Sequence, residues 1–125
     1  MTDRLQRATT RLAVRRKAHM GRTVTYRRGD DSVELQATIG ETIFRLVGAY
    51  GSQTRVVRRD YLIEAADLVL DGSAVQPRAG DRIEETDDDG TWVHEVGAPG
   101  GEPAWRWSGP HRGTYRTHTQ LVTRP

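Results

Sequence analysis

From Gly21 onward, apolar and polar residues alternate in short runs, and glycine, aspartate or proline interrupts each run after a few residues. A period of two marks strands with one buried face, and closely spaced breaks suit a closed barrel or a sandwich rather than helices. Val24 and Tyr26 alternate with Thr23, Thr25 and Arg27 until Gly29-Asp30-Asp31 stops the run. Val33, Leu35, Ala37 and Ile39 then alternate with Glu34, Gln36 and Thr38, so the two runs predict a hairpin. Gly40-Glu41 reads as a turn leading to a strand over 42–47.

Residues 48–52 read as a mobile loop with Tyr50 exposed near its tip, and 56–63 as a strand rich in arginine and apolar side chains. The segment 64–70 fits either a short helix or a bent strand. Asp71-Gly72 and the 77–81 stretch are turn signals. Residues 82–86 and 91–96 face each other across Asp87-Asp88-Asp89-Gly90 as a second hairpin, with Trp92, His94 and Val96 on one face. A glycine and proline loop over 98–103 precedes a strand around Trp105-Arg106-Trp107. After a turn at Gly109-Pro110, a last strand spans 114–122, with Tyr115, Thr117, Thr119 and Leu121 on one side.

The beginning of the chain has another period. Residues 3–19 contain no glycine or proline, and Leu5, Ala8 and Leu12 recur at helical spacing, with Thr2 or Asp3 able to cap the start and Gly21 beyond the end. The apolar stripe is thin and the remaining surface is mostly arginine. Such a helix gains little by packing on its own domain and is expected to be mobile until a partner orders it. The expected fold is therefore mainly β: a small β-barrel or sandwich with an N-terminal basic α-helix and mobile loops. Residues 1–20 form a helix or arm, and 21–125 form a single barrel domain.

At 125 residues the chain suits one domain with one modest core. It has no cysteine, so packing alone must hold it together. No stretch approaches the roughly 20 apolar residues of a membrane span, and the N-terminus lacks the apolar run of a secretory signal, so the chain reads as soluble with no membrane partner.

A net charge of +2 conceals a strong separation. Residues 1–22 hold seven basic residues against Asp3 alone, a net +6, whereas residues 60–102 hold twelve acids against two arginines, a net −10. Such a chain can meet copies of itself through opposite charges. The plain alternative is a charged surface whose segments neutralise one another within one fold. Of the 19 basic residues only Lys17 is lysine. Arginine suits bidentate contacts at interfaces, although a GC-rich genome would give the same bias.

Catalytic chemistry finds little support. His19, His94, His111 and His118 are scattered, with no His-x-x-x-His pair and no Cys/His cluster, so neither a metal nor another cofactor is expected. Glu84-Glu85 and Asp87-Asp88-Asp89 resemble a calcium loop in composition but lack its alternating ligands and terminal glutamate. They read as a solvated hairpin tip, an acidic interface, or the lining of a channel that keeps passing DNA from sticking. No serine sits in a nucleophile elbow. The three tryptophans are expected to supply much of the core, with Trp105 and Trp107 on one strand face. The chain is expected to bind macromolecules and not to be an enzyme.

The order of motifs points to a family. A charged N-terminal segment ends in His19-Met20-Gly21 and a β-hairpin follows; then come Tyr61-Leu62-Ile63-Glu64-Ala65-Ala66-Asp67 and a Gly80-Asp81 turn. Next are Trp92-Val93-His94-Glu95-Val96, a Pro/Gly loop and a Trp-containing strand. From about Leu5 to Arg112 this order resembles the small head–tail joining proteins of long-tailed bacteriophages, the head-closure type found in lambda. It is also similar to prophage proteins of comparable length.

The resemblance implies a virion protein of the neck, made in the host cytoplasm. It would form a β-barrel ring, sixfold or twelvefold, beneath the portal and its adaptor. That ring would close the DNA-filled head, contact passing DNA without sequence recognition, and offer a docking surface to tail-terminator and tail-tube proteins. The 114–122 strand is longer and more regular than the family's tail end, which keeps a tail-terminating or other neck ring open.

The expected partner contacts are Arg4, Arg7, Arg11, Arg15, Arg16, Tyr50, Arg58 and Arg59. The expected acidic interface or channel lining is Glu84, Glu85, Asp87, Asp88 and Asp89. Two readings of other classes stand beside this one. A nucleic-acid-binding barrel of OB or SH3-like type would use the basic helix with Arg55, Arg58 and Arg59. A carbohydrate-binding or enzymatic accessory domain would use the tryptophan pair and the acids.

Overall fold

The structure is a computed structural model in which residues 21–125 are described. The helix or arm expected over 1–20, with Arg4, Arg7, Arg11, Arg15 and Arg16, lies outside the described residues. Nine strands follow one another: β1 Arg22–Arg28, β2 Asp31–Val47, β3 Gln53–Glu64, β4 Val69–Leu70, β5 Ser73–Ala74, β6 Arg82–Asp87, β7 Gly90–Val96, β8 Trp105–Trp107 and β9 Thr114–Thr123. Every pairing is antiparallel. Six strands close into a barrel in the order β1, β2, β3, β9, β7, β6 and back to β1. Closure removes the free edges that an open sheet would present.

Alternation along each strand sends one set of side chains inward. Val24, Tyr26, Leu35, Ala37, Tyr61, Ile63, Ile83, Val96 and Tyr115 are buried in one cluster, joined by Leu68 and Leu70 from the segment after β3. The tryptophans do not supply much of this core, contrary to expectation. Trp105 and Trp107 are half-buried and pack on its margin, 5.0 Å apart edge to face, and flank Tyr115 at 4.7 and 4.9 Å. Indoles are too large for the centre of a six-stranded barrel this tightly filled by tyrosine and aliphatic side chains.

One local expectation is corrected and one open alternative is decided. Gly40-Glu41 makes no turn: β2 runs through it unbroken for 17 residues, paired with β3 from Ala37↔Ile63 to Val47↔Gln53. Gly40 serves a close approach instead. A β-carbon there would stand 2.9 Å from Leu62 Cδ1 and 3.2 Å from Arg116 Nη1. Of the two alternatives for the segment after β3, the structure holds the short helix. It is a single 3-10 turn, Ala65–Asp67, followed by the two-residue strand β4 that pairs with β5. The acidic hairpin turns on Asp88-Asp89 alone, with Asp87↔Gly90 as its last pair.

Pairing lengths create the projecting feature of the fold. β1 covers β2 only as far as Ala37, opposite Arg22, and β9 covers β3 only from Arg59 onward. Residues 42–47 of β2 and 53–58 of β3 therefore continue as a two-stranded arm beyond the barrel. Its tip is the 3-10 turn Ala49–Gly51, in which Tyr50 adopts φ 62° and is fully exposed.

Candidate assembly surface

The arm is anchored by a buried polar cluster on the outside of the barrel. Asp60 stands opposite His118 in the β3–β9 pairing, and both are buried although their side chains face away from the core. Asp60 Oδ1 lies 2.8 Å from His118 Nδ1, while Oδ2 accepts from Thr42 Oγ1 at 2.5 Å and from Arg116 Nη1 at 2.8 Å. Burial pushes this carboxyl up, but the hydrogen bonds from His118, Thr42 and Arg116 outweigh it and hold the group below its ordinary value. An ionised carboxylate only accepts, so Nδ1 of His118 carries the proton in this contact. The cluster ties β2, β3 and β9 together at the root of the arm. Phe44 packs its ring edge-on against His118 at 5.0 Å and closes the site from above.

A second network plugs the barrel mouth at the end from which the arm leaves. Glu85, buried, accepts from Arg22 Nη1 at 2.8 Å, Arg59 Nη2 at 2.9 Å and Tyr61 Oη at 3.0 Å. The Tyr61 hydroxyl spends its only proton on Glu85, so its oxygen accepts from Nδ1 of His94 at 3.1 Å. Burial raises the Glu85 carboxyl, yet Arg22, Tyr61 and Arg59 bring it below its usual value. Burial and then the Arg59 charge depress His94, against a smaller opposing pull from Glu85.

The expected contact residues thus fall into distinct places. Arg59 and Glu85 bind each other within one subunit, with the Arg59 guanidinium 5.3 Å above the Tyr61 ring. Glu84 pairs with Arg27 at 2.6 Å. Asp87 accepts from Trp92 Nε1 at 2.9 Å and from the Asp89 amide at 2.8 Å. Asp88 and Asp89 are exposed at the hairpin tip with no ion pair among the described residues. Arg58 lines a groove of about 360 Å³ with Glu95, Gln120 and Val122, and its Nε is buried without a partner among the described residues. Tyr50 stands fully exposed at the arm tip.

Sequence reasoning missed the exposed face of the arm, which continues the inward-facing side of β2 and β3 past the barrel mouth. Ile43 is 44% exposed, Val47 73% and Val57 50%, and they alternate with exposed Arg45 and Arg55. The signal was an alternation that continues from 31 to 47 once Gly40 is read as part of a strand. Among the described residues no three histidines or acids are grouped as for a metal ion, and no helix is long and apolar enough to cross a membrane.

A closed barrel carrying an arm with exposed apolar and cationic side chains offers surface that another protein can cover. No curated protein matches the sequence. A family model described as phage head-tail joining protein matches residues 2–125. The chain therefore belongs to the phage head-tail joining protein family, as a structural component of the virion that connects head and tail.

Proposed function

We propose that this protein forms the ring in the phage neck that seats beneath the portal and adaptor, closes the DNA-filled head and presents the tail with its docking surface. The observation that carries the reading is the family match over nearly the whole chain. The fold supports it physically. A closed barrel resists deformation, and one that bears an arm with exposed Ile43, Val47 and Tyr50 keeps apolar surface that only a partner covers. A ring of identical copies requires heterologous contacts in which each face differs from its mate, as the arm and the acidic hairpin differ.

The ten-residue β9, which pairs with β3, β7 and β8, favours a second reading as a tail-terminating or other neck ring.

Deleting the gene and imaging the lysate tests both. The first reading expects DNA-filled heads that leak their genome beside finished free tails, with joining restored by adding the purified protein. Tails of uncontrolled length would favour the second reading, and normal joining without the protein would overturn both.

A further inference from the structure

We infer that the exposed face of the arm seats on the acidic β6–β7 tip of a neighbouring copy, so that Arg45 and Arg55 of one subunit meet Asp88 and Asp89 of the next. The inference rests on the neck-ring reading and names the contact that would build the ring. Arg45 and Arg55 stand directly opposite each other across β2 and β3, between the Ile43↔Val57 and Val47↔Gln53 pairs. Like charges in that position weaken a strand pair unless a carboxylate stands between them. No carboxylate of the same subunit does so among the described residues, because the ion pairs near the barrel mouth join Arg22 and Arg59 to Glu85 and Arg27 to Glu84.

The complement is present on the same chain. Asp88 and Asp89 are exposed and without ion pairs among the described residues, and Trp92 lies half-buried beside them, held by Asp87. The tip therefore offers two carboxylates and an indole to a face of two guanidiniums and three aliphatic side chains. Genomic DNA offers phosphates but no apolar surface for Ile43, Val47 and Val57, so the mixed character of the face favours protein.

The topology sends both features out from the same end of the barrel. β6 runs antiparallel to β1, so Asp87 lies beside the start of β1 at Arg22, and β2 departs as the arm past that same point. Arg45 stands eight residues beyond Ala37, the partner of Arg22, so the contact forms between barrels inclined to the ring axis. A head-to-tail contact repeated by rotation closes into a ring. A patch this small falls short of the roughly 20–30 residues a side of a stable pair. Free copies should therefore associate weakly and gain stability when the ring closes.

The chain has no cysteine, which makes the test direct. Particles carrying a Val47→Cys, Asp89→Cys double variant are treated with a short bis-thiol cross-linker and run under denaturing conditions. A ladder of covalent multimers is expected, and neither single variant should give more than background. Adding Arg45→Glu and Arg55→Glu should cut the ladder by at least about tenfold, since like charges facing each other across an interface are strongly disfavoured. Adding Asp88→Arg on top should restore part of it.

Particles that contain the protein in a ring but give no ladder would overturn the inference and leave the neck reading standing. So would a ladder that the arginine variants leave unchanged, or one in which Val47→Cys alone gives dimers. Loss of DNA retention with an unchanged ladder would assign the arginines to the genome and overturn it too. Particles that never contain the protein would instead overturn the neck reading.

Discussion

Asp60 and His118 face each other across the β3–β9 pairing with 2.8 Å between Oδ1 and Nδ1, buried on the outer wall of the barrel where no aliphatic core supports them. Their contact seams the barrel shut and also roots the arm, because Thr42 of β2 donates to the same carboxylate.

Replacing Asp60 with alanine should cost about 3 kcal/mol, the lower end of what breaking a buried pair costs, because Arg116 retains access to water. Three donors lose their acceptor at once. Urea denaturation measures the loss, with Asp88→Asn as the control, expected to shift stability by less than about 0.5 kcal/mol because it is exposed. Equal effects from the two would refute the assigned role of Asp60.

Acid should destabilise the fold in two stages. His94 has a depressed folded value, so its contribution is complete above the ordinary histidine range near 6.5 and fades as pH falls through its lower folded value. Asp60 and Glu85 are also depressed, so theirs is complete above the ordinary carboxylate range near 4 and fades below it. Urea midpoints from pH 8 to 3 should fall first below about 6.5 and again below about 4. His94→Gln should flatten the first descent and spare the second.

Gly40 is expected to tolerate no side chain without loss. Alanine should cost about 1 kcal/mol as the end of Leu62 shifts, and valine about 2 or more, within the range of overpacking. A β-carbon 3.2 Å from Arg116 Nη1 also displaces the guanidinium from Asp60, so Gly40→Val combined with Asp60→Ala should lose less than the sum. Strict additivity would show that the two sites are independent.

Tyr50 occupies a left-handed conformation at full exposure, which costs a tyrosine about 1 kcal/mol. Tyr50→Gly relieves that strain but loosens the unfolded chain, so the net change should stay within about 0.5 kcal/mol. Head–tail joining should fall all the same if the ring meets a partner at the arm tip. A variant that joins at the normal rate would remove Tyr50 from the contact surface.

Residues 1–20 should be dispensable for the barrel, whose buried cluster runs from Val24 to Tyr115. A chain beginning at Gly21 is expected to unfold at nearly the parent temperature and yet to fail in joining heads to tails. Normal joining would remove Arg4, Arg7, Arg11, Arg15 and Arg16 from the partner surface.

Local chemistry made much of this fold readable in advance. Alternation in 23–27, 33–39, 82–86 and 91–96 foretold β1, β2, β6 and β7, because which face of a strand meets water is decided residue by residue. Gly29-Asp30 turned where expected for the same reason, with Gly29 supplying the positive φ. The order of motifs pointed to the family that residues 2–125 match.

Other features were set only once distant strands met. Gly40 is the same letter in a turn and at a close approach, and Arg116, far along the chain, decides between them. Glu85 belonged to an acidic run, yet barrel closure carried it to Arg22, 63 residues away, and turned an apparent surface charge into a buried acceptor. The arm exists because β2 and β3 outrun their neighbours, a matter of relative strand length and register. Sequence by itself determined which residues prefer strands, turns and water. Tertiary structure decided which charges were paired within the subunit and which stayed exposed, because an ion pair depends on proximity, and proximity across the barrel is set by closure.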